Sequence, residues 1–506
     1  MNLKKDEMNL KEEKGQNPQN IKGKIVNHVA KFSFASFIGG LGGFFSSYFG
    51  ALLLGPTIWG TWQGAMLVLQ YGSSLHLGVP NGMDRELPLM RGKKELGKQA
   101  IITDVTFTFS FIVALIVSLG ILVSTFVLTM QPELKLSLQF IAAMIFFQYI
   151  SAFYGSFFRA HNEFGIVSKV AIIGGLGNFF SIALIFFFGF RGFLGGQLIR
   201  FFVITCYSYF KSSYSIKWRW DNRCLNSLIM IGFPIMLMLF ANLLFTTVDR
   251  ILILKFLNTK SLGFYSLGNL VFAPLLMIFT ASNSVMYPRF TEKYGETGTT
   301  NSLIKYITVP IKNLAVLMPI LIGVIYIALP FLVRVFLPAY IEGIAAARIL
   351  IMGLFFYGIA GMAGNMFLTV NRQVMYLVIT IGSALLNLCF SYIGAKLGYG
   401  IIGVAIGASL AYFIFSITSV ILAMRFAKAS LKEINKLLMG VLGHIFFVCI
   451  ILTIFSIWVP VFPSKMSSMI NVTILQELIF LSLNAYFIYK ILHSEIGTLF
   501  IRRHSI

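Results

Sequence analysis

Residues 245–265 read FTTVDRILILKFLNTKSLGFY, an apolar run broken by one adjacent charge pair, Asp249-Arg250. The stretch lies at the midpoint of the chain, and its second half repeats a pattern found near the N-terminus. Leu54–Trp62 (LGPTIWGTW) and Leu257–Tyr265 (LNTKSLGFY) both read leucine, four variable residues, a large apolar residue, glycine, one residue and an aromatic. The phase holds further on: Gly60 precedes Arg85 by 25 residues, and Gly263 precedes Arg289 by 26. Each arginine ends an apolar hairpin and opens a polar loop. The pattern predicts an internal duplication, with two similar helical bundles and the second beginning near Leu225.

The chain has 506 residues, 57% of them hydrophobic and only 11% charged. A soluble protein of this size could not hide so much apolar surface, so the class is an all-α polytopic membrane protein. Long unbroken apolar runs without period-2 alternation exclude a transmembrane barrel. Spanning a hydrocarbon core about 30 Å thick takes ~20 apolar residues per helix. Runs of that kind fall at 29–49, 58–80, 101–127, 136–158, 166–188, 193–210, 225–252, 262–286, 307–333, 343–367, 373–395, 400–423, 437–459 and 469–492. The expectation is therefore fourteen transmembrane helices: two pseudo-symmetric six-helix bundles, 29–224 and 225–436, and two further helices within 437–506. Residues 1–28 are polar, with no apolar core before Val29, and read as a cytoplasmic tail rather than a signal peptide.

The net charge of +22 invites a nucleic-acid reading, and its distribution argues against one. With the N-terminus inside, 29 of the 40 Lys and Arg fall in inside segments and 7 in outside loops, namely Lys135, Arg191, Lys255, Lys260, Arg334, Lys396 and Lys465. The positive-inside rule then puts both termini in the cytoplasm. The longest loops, 81–100 and 287–306, occupy matching places in the two halves, and no soluble domain is inserted. Repeats in the same orientation are related by an axis along the membrane normal and commonly enclose a central cavity.

Four cysteines, Cys206, Cys224, Cys389 and Cys449, share no close spacing, which speaks against a metal site or disulfide framework. Gly92–Gln99 (GKKELGKQ) approaches a phosphate-binding loop, but Gln99 stands where Ser or Thr should hold magnesium, and a membrane helix precedes it instead of a strand. It reads as a basic cytoplasmic loop, and no cofactor is expected. Gly39 and Gly43, like Gly403 and Gly407, have the i, i+4 spacing that lets helices approach closely, and packing is the preferred reading.

Intramembrane ionisable residues carry more information, because a charge at the bilayer centre costs ~2.5–3.5 kcal/mol on insertion scales. They are His76, Asp104, Arg200, Asp249, Arg250, Arg348, His444 and Glu477. Arg200, in mid-helix, is the best candidate to line a cavity. Asp104 and Arg348 lie near helix starts, where reaching the interface is an equal alternative; Arg250 either pairs with Asp249 or reaches outward. His76 is balanced between a buried and a cavity-lining place. His444 and Glu477, outside the two bundles, suit packing or interfacial roles. Asn178, Asn242, Asn365 and Asn387 must each hydrogen-bond something in apolar surroundings, and either interhelical bonds or a sugar-binding lining explains them.

These pieces resemble a known family. Leu52–Trp62 (LLLGPTIWGTW), Gly78–Arg91 (GVPNGMDRELPLMR), Val248–Tyr265 (VDRILILKFLNTKSLGFY), Val370–Gln373 (VNRQ) and Gly400–Gly407 (GIIGVAIG), in this order and spacing, are similar to polysaccharide flippases of the Wzx type. Those belong to the multidrug/oligosaccharidyl-lipid/polysaccharide exporter superfamily. The resemblance spans about residues 25–490. It implies a non-enzymatic transporter of the bacterial cytoplasmic membrane, made of two six-helix bundles around a central cavity and rocking between inward-open and outward-open states. The implied substrate is a polyprenyl-diphosphate-linked oligosaccharide, and the implied partners are membrane lipids and the polysaccharide polymerase and chain-length machinery. A diphosphate needs cations, which Arg200, Arg250 and Arg348 would supply in the cavity, with Arg85 and Arg289 at its inner mouth and His76 nearby. Only Asp249-Arg250 and Asn371-Arg372 carry over as motif matches. Proton or sodium coupling would use Asp249 or Asp104. The competing readings are a drug or cation antiporter, which wants more acidic residues than Asp104 in the first half, a lipid II flippase, and a membrane enzyme, which would need a sizeable catalytic loop.

Overall fold

A computed structural model describes residues 18–212, 214–458 and 466–492, and among these the chain is helical with no strand. The helices are α1 (Pro18–Gly72), α2 (Val79–Gly92), α3 (Leu96–Val127), α4 (Pro132–Ala160), α5 (Phe164–Lys211), α6 (Asn222–Phe256) and α7 (Thr259–Thr297). They continue as α8 (Ile304–Phe336), α9 (Ile344–Thr369), α10 (Gln373–Lys396), α11 (Gly400–Phe426), α12 (Leu431–Trp458), α13 (Met466–Leu483) and α14 (Ala485–Leu492). Eleven of the described helices are long and apolar enough to cross a membrane, and α13 is a shorter apolar one. The protein is thus a multi-pass membrane protein. Residues 1–17 of the expected polar tail and those after 492 lie outside the described residues.

Eleven spans differ from the fourteen expected chiefly because α1 and α5 each take in two apolar runs. Both helices contain one glycine with non-helical torsions, Gly55 (φ 72°) in α1 and Gly189 (φ 55°) in α5. Positive φ is open to glycine without a Cβ clash. Pro56 follows Gly55 and suits a fresh first turn. In α5 the two limbs fold onto each other as an antiparallel hairpin: Arg200 lies against Gly177, Gly196 against Ser181 and Gly192 against Leu184. In α1 the Trp59 ring packs on Gly50. Nine residues of straight helix would separate them by ~13.5 Å, so the chain folds back at Gly55.

A second difference lies at 81–100, expected to be a polar loop. Residues 79–92 form α2, with Pro80 in the first turn and Val79, Met83 and Leu87 buried at four-residue spacing. A narrow apolar stripe suffices for a helix lying on the protein, and a reading by charge overlooks it. Likewise α7 continues through the expected loop to Thr297. Caps set several starts. Asp221 accepts from the Arg223 and Cys224 amides before α6 (2.9 and 3.0 Å), Asn258 from the Ser261 amide before α7 (2.8 Å), and Ser430 and Glu433 form a reciprocal capping box before α12.

The chain divides into two compact units, residues 1–240 and 241–506. In the first, Gly39 and Gly42 of α1 lie against Ala171 and Gly175 of α5, and Gly78 and Gly82 bring α2 against the backbone of Leu228 and Gly232 in α6. In the second, Gly403 and Gly407 of α11 lie against Gly394 and Ser391 of α10. The two units share a device: Ser181 opposite Gly196 in one, Ser391 opposite Gly407 in the other. A buried amide precedes each serine by about one turn, Asn178 and Asn387. Helices α12 to α14 dock on α8 through Val448, Leu452, Phe455 and Phe480, whose ring fills the space left by Gly323.

At Gly42 a Cβ would sit 2.6 Å from the Gly175 carbonyl oxygen, whereas at Gly120 it would meet nothing within 4 Å. Gly42→Val is therefore expected to destabilise by about 1–3 kcal/mol through overpacking, and Gly120→Val to change little. Thermal unfolding of the purified variants checks both.

Candidate functional site

The second unit holds the buried charge that the sequence singles out. On α6, Asn242, Phe245 and Asp249 recur at three- and four-residue steps and so share a face. Asp249 is 3% exposed. Its carboxylate accepts from the Tyr265 hydroxyl of α7 and from the backbone N–H of Arg250 (2.9 Å for the latter). Four residues beyond Tyr265, on the same face of α7, Asn269 accepts from Arg250 Nη2 at 2.9 Å. Among the described residues Asp249 and Arg250 form no ion pair, so the pairing read from the sequence does not hold: Asn269 of α7 takes the arginine instead. Arg250 Nε is buried without a partner. The rest of the face is aromatic and polar. Tyr412 and Phe415 of α11 pack on Phe245 (5.1 and 4.9 Å between centroids), Tyr357 of α9 donates to Asn242 (3.2 Å), and Asn387 of α10 donates to the Phe245 carbonyl (2.8 Å). A carboxyl so placed, held by one hydroxyl and one backbone N–H and buried away from water, is chemically suited to exchanging a proton or a cation.

Arg348 and His444 serve a different purpose. Helix α8 carries Pro310, Pro319 and Pro330. A proline lacks the N–H that would bond the carbonyl four residues back, so Pro319 frees Ala315 and Pro330 frees Tyr326. Arg348 Nε donates to the Tyr326 carbonyl at 3.0 Å, with the guanidinium 4.3 Å over the Tyr326 ring. His444 Nδ1 lies 3.1 Å from the Ala315 carbonyl, and its Nε2 lies 3.0 Å from Asn484 Oδ1. Both side chains thus replace backbone donors that proline removed.

In the first unit Arg200 sits against Gly177 with its guanidinium 4.5 Å over the Phe201 ring, and its Nε is buried without a partner. Asp104, 3% exposed, accepts from the Lys217 backbone N–H (3.0 Å) and the Tyr214 hydroxyl (3.1 Å), and so anchors the segment between α5 and α6. His76 lies in the turn before α2, where Nδ1 accepts from the Gly78 N–H (3.0 Å). Burial holds this imidazole below its ordinary value, which keeps Nδ1 an acceptor. Arg85 on α2 and Arg289 on the last turns of α7 are exposed. The four amides all find interhelical partners: Gln197 donates to Asn178 and Ser46 (3.3 Å each), Asn365 to Asn283 (3.4 Å), and Asn242 and Asn387 bond as above. The sequence expectation names neither Tyr265 nor Asn269 as a partner of the charge pair. Their only signal was the four-residue spacing of two polar groups in an apolar helix.

Comparison with known proteins adds the following. Residues 91–345, half of the chain, match a family model described as polysaccharide biosynthesis protein. No curated protein matches the chain significantly. Among solved structures, an inward-facing multidrug resistance MATE family transporter of the MOP superfamily aligns with TM-score 0.65 at 16% identity, covering 77% of this chain and 95% of that one. The lipid II flippase MurJ, in an inward closed conformation, aligns at 0.62 and 17% identity over 89% of this chain and 98% of its own. A MOP superfamily transporter from Pyrococcus furiosus, described by the reverse polarity of its binding pocket, aligns at 0.57 and 17% identity over 80% and 96%. At such identities the likeness carries the fold, which is that of these transporters.

Replacing Arg348 by Met leaves the Tyr326 carbonyl without a donor, expected to cost about 1–3 kcal/mol. In a Pro330→Ala background the restored N–H serves that carbonyl, so the same change is expected to cost markedly less. A double-mutant cycle by thermal unfolding measures the difference; additive effects would contradict the assignment. Asp104→Ala is expected to speed tryptic cleavage after Lys217 and Arg219 in the folded protein.

Proposed function

The chain belongs to the polysaccharide biosynthesis protein family, and on that premise we propose that it is a flippase for a polyprenyl-diphosphate-linked oligosaccharide. It moves this substrate from the inner to the outer leaflet of the bacterial cytoplasmic membrane by alternating access, for assembly of a surface polysaccharide. The proposed layout takes the breaks at Gly55 and Gly189 as turns between spans and α13 as a span, which makes fourteen. They are arranged as bundles 29–224 and 225–436 and helices within 437–506, with both termini in the cytoplasm.

The observation that carries this reading is the charge left over in the membrane-spanning helices of the first unit. Asp104 is engaged by the segment after α5, while Arg200 keeps a buried N–H without a partner. An unpaired guanidinium in apolar surroundings favours an anion, and a diphosphate offers the oxygens it needs. A drug or cation antiporter would want the opposite sign there. Arg250, with its own unpartnered N–H, is a further substrate cation in this reading, as are the exposed Arg85 and Arg289 toward the cytoplasm. Asp249 is the coupling acid in this reading, because proton or cation exchange at a carboxyl held only by hydrogen bonds changes its partners' geometry. The likeness to MurJ supports a lipid-linked substrate and keeps lipid II as the second reading.

Cells lacking this gene are expected to accumulate a diphosphate-linked oligosaccharide accessible only from the cytoplasmic side, and its sugar composition separates the two flippase readings. Normal lipid-linked pools and normal surface glycan, in cells without a second flippase, would refute both. Asp249→Asn and Arg200→Gln are each expected to lower transport at least tenfold at normal membrane abundance; wild-type transport by either would remove that residue from the mechanism.

A further inference from the structure

The segment joining α5 to α6 carries none of the proposed substrate or coupling residues. It reads Tyr214-Ser215-Ile216-Lys217-Trp218-Arg219-Trp220-Asp221, and it forms no helix. It lies along α3, held at two points by side chains. Asp104 accepts the Lys217 N–H at 3.0 Å, and Thr108 Oγ1 accepts the Arg219 N–H at 3.1 Å. The spacing is what allows this. Four residues of helix rise ~6 Å and two residues of extended chain advance ~6.6–6.8 Å, so acceptors at i and i+4 on a helix match alternate amides of a strand. The indoles add to the hold. Trp218 packs edge-on against Phe107 (5.6 Å) and Phe111 (4.9 Å), and Trp220 lies near Phe109 (6.5 Å).

What remains outward is cationic and aromatic. Lys211, Lys217, Arg219 and Arg223 are exposed, and none forms an ion pair among the described residues. The one acid of the segment, Asp221, caps α6. Trp218 and Trp220 stay 65% and 53% exposed in spite of their packing. Directly beyond Thr108, α3 presents Ile112, Leu115, Ile116, Leu119 and Val123, an exposed apolar stripe at helical spacing.

We propose that this segment is a lipid-binding strap, in which Lys217 and Arg219 take the phosphate of an anionic phospholipid, Trp218 and Trp220 sit at headgroup depth, and the acyl chain runs along the α3 stripe. Cations next to indoles suit the membrane interface, and cationic segments beside a spanning helix attract anionic lipid. The apolar stripe continuing from the phosphate position selects a lipid over a soluble anion. Asp104 and Thr108 are positioning residues: they fix which side chains of the strap turn outward. The inference does not depend on which glycan the protein carries.

The test uses the full-length protein carrying Trp458→Phe, in lipid nanodiscs. Of its remaining tryptophans, Trp59 and Trp62 are buried (3% and 5% exposed), so quenching by brominated acyl chains reports on Trp218 and Trp220. At equal mole fraction, brominated phosphatidylglycerol is expected to quench several-fold more than brominated phosphatidylcholine. High salt should remove the excess by screening. Adding Lys217→Gln and Arg219→Gln should remove it with the melting curve unchanged. Equal quenching by the two lipids overturns the proposal, as does an excess that survives both high salt and the two substitutions. Displacement by inorganic phosphate would make this a free-phosphate site and would also overturn it. If the doubly substituted protein does not fold, the salt dependence and the phosphate competition still decide.

Discussion

Inside a bilayer a backbone carbonyl has no water to turn to, and leaving it unpaired costs several kcal/mol. Helices meet this demand along most of the chain, and the exceptions organise the rest. Prolines in α8 free the carbonyls of Ala315 and Tyr326, and His444 and Arg348 are spent on them. Arg348, a cavity candidate in the sequence, thereby serves the scaffold alongside His444, which the sequence places among packing or interfacial residues. Other side chains reach backbone carbonyls on neighbouring helices in the same manner: Asn387 to Phe245, Ser409 to Ile349, Thr205 to Phe147. Each ties two helices together at one register.

With lipid as apolar as leucine, close packing of small residues takes over from the hydrophobic effect between helices. The glycines of α1, α5, α10 and α11 supply it, and each unit sets a serine opposite a glycine. The two units thus share this packing while their chemistry differs. The offset that maps Tyr265 onto Trp62 maps Asp249 onto Ser46, which in the first unit merely accepts from Gln197. The same helical position carries a buried acid in one unit and a neutral packing bond in the other.

The remaining charges follow from this division. Where a polar group has enough partners it fixes structure, as Asp104 does for the segment after α5. Where partners fall short, as at the Nε atoms of Arg200 and Arg250, a buried donor is left without an acceptor. Asp249 lies between these cases, held by the Tyr265 hydroxyl and the Arg250 N–H but by no cation.

Much of this was legible beforehand. Unbroken apolar length announced helices and the membrane. The gaps between expected spans at 49–58 and 188–193 bracket the turns at Gly55 and Gly189, since a glycine between two apolar runs marks where the backbone can reverse. The i, i+4 glycines of α11 announced close helix packing, whereas in α1 Gly42 rather than Gly43 joins Gly39 at the contact; the charge pair in the central run marked α6 as special. All of these are local properties, written in residue type and spacing along one segment. The partners were not legible. That Arg348 meets Tyr326, that Tyr265 rather than the Arg250 guanidinium meets the Asp249 carboxylate, and that Asp104 meets the Lys217 amide more than a hundred residues away depend on which helices become neighbours and at what register. Those choices are made by packing small side chains summed over whole interfaces, and no single residue or spacing along the chain records them.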